Sequence, residues 1–96
     1  MAEKHLTLRM IAPEGGETVL ACESLRLPMA DDSAGRGGGS LGIRPGHARA
    51  LIALAEGVAE AVTEEGVRRF RVAGGFADVK NDAVTLSLLT PPEEIQ

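Results

Sequence analysis

The sequence contains no tryptophan, no tyrosine, two phenylalanines and a single cysteine. With so few rings, platforms for stacking bases or sugars are scarce, and Val, Leu, Ile and Ala must fill any core. The lone Cys22 excludes an internal disulfide, and a Cys-based zinc site would need ligands that the chain does not hold. A reducing compartment fits. Cations are also short: Lys and Arg number 10 against 14 Asp and Glu, a net charge of −4. Binding a phosphate backbone relies on a concentrated cationic excess, so no nucleic-acid partner is expected. The cluster Arg68, Arg69 and Arg71 is too short to reverse this. The longest apolar run, Ala50 to Ala55, cannot span a bilayer, and the opening MAEKHLTLRM has no signal-peptide stretch. The expectation is a cytosolic protein with no direct membrane insertion, unless partners hold it against a membrane.

What is present is enough apolar residue, 44 % of 96 residues, for one core and one domain. HLTLRMIA alternates, with Leu6, Leu8 and Met10 on one side and Thr7 and Arg9 on the other, the period of a strand with one wet face. Pro13, Gly15 and Gly16 turn the chain. ETVLACESLRLP then places Val19 and Ala21 on one face and Leu25 and Leu27 on one face after a break at Cys22 to Ser24, where a bulge or a strand change would restore the register. The polar, Gly-rich segment from Ala30 to Ser40 reads as a mobile surface loop, because it buries too little to offset the entropy of ordering. LGIRPGH follows as a short extended piece ending in the tight turn favoured by Pro45-Gly46.

Local evidence is divided over HARALIALAEGVAEAVTEEG. Leu51, Leu54, Ala55, Val58, Ala61 and Val62 recur at helical spacing among strong helix formers. Against a helix stands Gly57, costing about 1 kcal/mol relative to Ala, and Glu56-Gly57 could instead turn between two strands. Beyond Gly66 alternation returns: Phe70 and Val72 against Arg69 and Arg71, then Val84, Leu86 and Leu88 against Thr85 and Ser87, with Asn81-Asp82 as a hairpin turn. Pro91 and Pro92 end the last strand, leaving EEIQ as a frayed tail.

No active site assembles from the residues. GRGGGSLG, Gly35 to Gly42, lacks the Lys-Ser/Thr pair of a phosphate loop and a helix directly after it, and reads as a flexible loop. His47 has no Asp or Glu nearby in LGIRPGHARAL to orient it, which favours a structural or interface histidine. Cys22 sits in a predicted strand with no flanking cation, so a buried, unreactive thiol is expected. The serines lack a nucleophile elbow, and the carboxylate pairs Asp31-Asp32, Glu64-Glu65 and Glu93-Glu94 read as solvated loop charge. Neither a metal nor a cofactor is expected.

Taken in order, Leu41–Ala48 (LGIRPGHA), Val72–Val79 (VAGGFADV) and Ala83–Leu88 (AVTLSL) resemble the epsilon subunit of F-type ATP synthases, together with the opening HLTLRMIAPEG. The resemblance covers nearly the whole chain. It implies an all-β fold, a flattened β-sandwich of about ten short strands over residues 1–90 with a short tail at 91–96, and the divided segment as two strands. It further implies a non-catalytic subunit of the rotary motor's central stalk, peripheral on the cytoplasmic face of the inner membrane, whose partners are the gamma subunit and the c-ring. The partner-binding residues it points to are Leu41, Gly42, Ile43, Arg44, Pro45, Gly46 and His47, with Gly74, Gly75 and Phe76. The family's usual two-helix carboxy-terminal hairpin is not present up to Gln96, so its braking and ATP-binding roles do not carry over. The loop before Leu41 is longer than the family's, Ser40 stands at an often acidic position, and Arg49 replaces the usual Pro. A stand-alone β-sandwich adaptor is the alternative, and an enzyme completed by a partner chain is third.

Overall fold

The computed structural model describes residues 5–14, 16–30, 39–46 and 48–95. Ten strands follow one another: β1 (Leu6–Ile11), β2 (Glu17–Cys22), β3 (Ser24–Pro28), β4 (Ser40–Ile43), β5 (Ala50–Leu54), β6 (Gly57–Thr63), β7 (Gly66–Val72), β8 (Gly75–Lys80), β9 (Ala83–Leu88) and β10 (Glu93–Ile95). They form two five-stranded sheets, ordered β2-β1-β9-β8-β5 and β10-β7-β6-β3-β4. The all-β sandwich expected from the sequence is the fold observed. Neighbours pair antiparallel except β1 and β9, which run parallel with Leu8 opposite Val84 and Met10 opposite Leu86.

Strand alternation makes the core. Leu6, Leu8 and Met10 of β1, Ala77 and Val79 of β8, and Val84, Leu86 and Leu88 of β9 point inward from the first sheet. Leu25, Leu27, Ile43, Ala59, Ala61, Phe70 and Val72 meet them from the second. Each fully buried Leu or Val contributes roughly 1.5–3 kcal/mol of transfer free energy. With Phe70 the one buried aromatic among the described residues, that aliphatic set carries the stability.

The chain repeatedly crosses between sheets. At Glu23 it leaves β2 in the first sheet for β3 in the second, which is the strand change anticipated near Cys22 to Ser24. The face of β2 holding Val19 and Ala21 looks outward, while Leu20 and Cys22 look in. A second crossing runs through Ala55 and Glu56. The Pro28 carbonyl accepts from Ala55 N–H at 3.1 Å and the Ala53 carbonyl from Ala30 N–H at 3.0 Å, so one long side of the sandwich is stitched by backbone bonds. Gly57 fits there because a Cβ would stand 2.9 Å from Pro28 Cβ.

Leu51 to Val62 is therefore two strands, as the family resemblance implied, against the local helical pattern. The supposed stripe is split in this arrangement: Leu54 is buried, whereas Leu51 is 73 % exposed. Glu56-Gly57 is not a hairpin turn, because β5 and β6 belong to different sheets. Asn81-Asp82 does form the two-residue hairpin loop between Lys80 and Ala83, both at positive φ (51° and 62°) as this turn requires. The frayed tail needs correction: Glu93–Ile95 pair with Arg69–Arg71 as β10. Arg68 clamps this strand, donating from Nε and Nη2 to the two carboxylate oxygens of Glu94, each at 2.9 Å. The loop expected to be mobile lies mostly at residues 31–38, outside the described residues.

Candidate functional site

The anticipated contact residues occupy two places. Ser40–Ile43 form the outer edge strand of the second sheet, and the following turn carries the chain to β5 at the edge of the first. Along it Gly42, Arg44 and Gly46 are exposed, Leu41 and Pro45 are partly covered, and Ile43 is fully buried, so Ile43 anchors the strand and offers no side chain to a partner. Gly46, at φ +87°, donates its N–H to Asp82 Oδ1 at 2.7 Å, tying this turn to the β8–β9 hairpin. His47 lies outside the described residues. The second place is the corner from β7 to β8. Gly74 and Gly75 stand at φ +119° and +137°, and a Cβ on Gly75 would collide with the Ser87 carbonyl oxygen and come within 3.0 Å of Leu88 Cα. A bend and the close approach of β9 thus coincide at these consecutive glycines. The two places sit at opposite ends of β8, about 17 Å apart at the usual rise per strand residue.

Phe76 is the residue that opens a functional surface. It leaves the Gly75 corner on the outer face of the first sheet, 56 % exposed. Register places it opposite Ala53 on β5 and Ser87 on β9, and Ser87 opposite Ile11 on β1. Ile11, Ser87, Phe76 and Ala53 therefore form one row across four strands. Leu51 lies two residues along β5 on the same face, and Leu89 follows β9 beside the corner, 65 % exposed. Ser87 stands between Ile11 and Phe76 and Asp78 opposite Leu51, so these exposed apolar side chains are grouped on one sheet face, the kind of surface that marks contact sites, without forming an unbroken patch. Its rim is charged, with Arg9 Nε 3.0 Å from Glu17 Oε2. Of this row the sequence reading singled out Phe76 alone. The missed signal was apolar residues at the outward phase of alternating strands: Ile11 after Met10, and Leu51 before Ile52.

A hollow of about 470 Å³ lies elsewhere, between His5, Cys22, Glu64 and Arg68. Its thiol is poorly suited to chemistry, because burial pushes Cys22 up to about 11. His5 Nε2 is 3.8 Å from Glu64 Oε1, and both are partly exposed. Glu94 is held below the usual carboxylate range, first by the hydrogen bonds from Arg68 and then by its charge. Among the described residues no polar or charged residue is buried, and no group of three His, Cys, Asp or Glu is placed to hold a metal. The arrangement offers surfaces for contact.

Residues 5–88 match the family model of the ATP synthase Delta/Epsilon chain, beta-sandwich domain. The chain belongs to this family. It is 36 % identical over 78 residues to the ATP synthase epsilon chain of Paracoccus denitrificans, covering 80 % of this chain and 48 % of that one. To the ATP synthase epsilon chain of Synechococcus elongatus it is 37 % identical over 81 residues, covering 84 % and 54 %. The chain thus spans about half the length of the curated relatives it matches. Its fold is shared by a chain in the cryo-EM structure of the Euglena gracilis mitochondrial ATP synthase, OSCP/F1/c-ring, with a TM-score of 0.73 at 19 % identity over 95 % of this chain and 52 % of that chain. On this sandwich the exposed apolar residues Ile11, Phe76 and Leu51 and the Gly42–Gly46 edge are candidate contact surfaces.

Proposed function

We propose that the protein is a non-catalytic rotor subunit of an F-type ATP synthase, seated in the central stalk and linking the gamma subunit to the c-ring, so that ion translocation is coupled to ATP synthesis or hydrolysis. The observation that carries the reading is the exposure of Ile11, Phe76 and Leu51 on one sheet face, in a chain of the Delta/Epsilon family. That face is the gamma-facing surface. The edge from Leu41 through Pro45 and Gly46 meets the ring, and Gly74 and Gly75 act by aiming Phe76 outward. The sandwich works as a link: its two sheets share one aliphatic core and a stitched side, so load applied at one surface reaches the other without an internal hinge. The complex, rather than any segment of the described chain, holds the protein at the cytoplasmic face of the membrane.

Mixing the protein with its cognate gamma subunit at micromolar concentration should give a stable complex by size exclusion. Phe76→Asp with Leu51→Asp should weaken that complex by at least about tenfold, since burying an unpaired charge costs several kcal/mol, while circular dichroism stays unchanged. Absence of a complex, or a double variant that binds like the unmodified chain, would refute the reading.

A further inference from the structure

The outer face of the second sheet is charged in the opposite sense to the chain as a whole. Register and alternation bring Arg26 of β3, Arg69 and Arg71 of β7, and Arg44 at the end of β4 to this face, against Glu60 of β6 and Glu93 of β10. Among the described residues four guanidinium groups thus stand over two carboxylates on this face, in a protein of net charge −4. Glu60 is already engaged, its Oε2 2.9 Å from Arg69 Nε. Arg44 makes no ion pair with any described residue, and Arg26 spends one nitrogen on Ser40 Oγ at 3.0 Å.

Between Arg26 and Arg44 the surface is concave. Ser24, Gly42, Glu60 and Val62 complete a hollow of about 270 Å³. Gly42 leaves it open: a Cβ there would meet nothing nearer than the Leu25 carbonyl oxygen at 4.0 Å, so backbone geometry does not demand glycine. What glycine supplies is space, flanked by two planar donors that fit a carboxylate by paired N–H bonds.

We propose that this hollow receives an aspartate or glutamate side chain from a protein neighbour other than gamma. The inference rests on the proposed rotor reading, which gives gamma the opposite outer face. A carboxylate fits the charge, because Glu60 in the lining is already engaged by Arg69 and leaves Arg26 and Arg44 as the donors. A flat anionic membrane suits the site less well, because a concave hollow receives a projecting side chain and not a plane.

The test uses the full chain and the cognate ATP synthase depleted of this subunit. Three variants serve: Arg26→Glu, Arg44→Glu and Gly42→Leu, the last filling the hollow without changing charge. Assembly into the depleted complex should weaken by about tenfold or more for each, the usual order for loss of a paired interfacial charge. Binding to gamma alone and the thermal midpoint should stay as they are. Raising salt from about 50 to about 300 mM should weaken assembly of the unmodified chain and leave Arg26→Glu with Arg44→Glu nearly unaffected. If the variants bind gamma normally and assemble like the unmodified chain, the hollow proposal and the ring-facing assignment of the Gly42–Gly46 edge are overturned, while the gamma-facing assignment stands. No binding to gamma by any form would overturn both. Arginine-dependent binding to phosphatidylglycerol vesicles, absent with phosphatidylcholine, would overturn the protein-carboxylate assignment in favour of a lipid surface.

Discussion

Replacing Gly75 by alanine adds one methyl group at the most confined glycine in the described chain. Two costs arise. Positive φ at +137° is a conformation that residues with a Cβ rarely adopt, worth about 1–3 kcal/mol. The new Cβ would also collide with the Ser87 carbonyl oxygen and come within 3.1 Å of its carbonyl carbon. These are backbone atoms of β9, paired to β8 across Gly75 and Leu88, and they cannot rotate away as a side chain would. Forced overpacking of this kind costs about 1–3 kcal/mol more. Gly66 supplies the control, at φ +123° with nothing within 4 Å of its Cβ position, so Gly66→Ala incurs the first cost alone. Expected losses are about 4 kcal/mol for Gly75→Ala and about 2 kcal/mol for Gly66→Ala, against a total of roughly 5–14 kcal/mol for a domain of this size. With a urea m-value of about 1–1.5 kcal/mol/M, the midpoints should fall by about 3 M and about 1.6 M. Equal losses for the two variants, within about 0.5 kcal/mol, would refute the collision argument and leave only backbone conformation.

Cys22, with its thiol pushed up to about 11, should be about one part in a thousand thiolate at pH 8 and should react with a disulfide reagent only after urea unfolding; complete labelling of the folded chain within minutes would contradict this. The Arg68–Glu94 clamp favours ionised Glu94 and lowers its pKa in the folded state, so its hold on β10 is full above the ordinary carboxylate pKa and is lost as pH falls through the lowered value. Amide protection at Glu94 and Ile95 should accordingly exceed that of Glu94→Gln at neutral pH, with the difference closing on acidification; a pH-independent difference would count against the clamp. Asp82→Ala removes the acceptor for Gly46 N–H and places alanine at φ 62°, which should cost about 1–2 kcal/mol and speed exchange at the Gly46 amide.

Where one face of a strand is wet, alternation alone located the strand: Leu6 to Met10 and Val84 to Leu88 are buried at every second residue, as their pattern requires. The Asn81-Asp82 turn was legible because few other pairs tolerate two successive positive φ values. In β5 and β6 the same logic gave the wrong local answer. Leu51 and Val58 are apolar on outward faces, and mixing outward with inward apolar residues imitates a helical period. The ordered LGIRPGHA, VAGGFADV and AVTLSL segments settled that question through the family, where local chemistry could not. β10 escaped notice because three residues after two prolines carry no periodicity, and their pairing depends on Arg68, which is 26 positions away. Of the anticipated contact residues, Ile43 is buried because a four-residue edge strand must commit one strong anchor to the core. Ile11 and Leu51 are legible as a surface only once register places them beside Phe76.

The parallel pairing of β1 with β9 sets the timetable on which the protein can be made. Within this chain β1 is made before all the other strands, and β2, the next, can close on one side of it almost at once. The other side of β1 waits for Ala83 to Ser87, near the end of the described chain. Until β9 is made the inward Leu6, Leu8 and Met10 lack the neighbouring Val84 and Leu86, so the nascent chain presents a sticky, half-finished edge until β9 leaves the ribosome. Folding of this sandwich is thus a late, nearly single event, and truncation before Leu88 should leave aggregation-prone hairpins in place of a smaller stable domain.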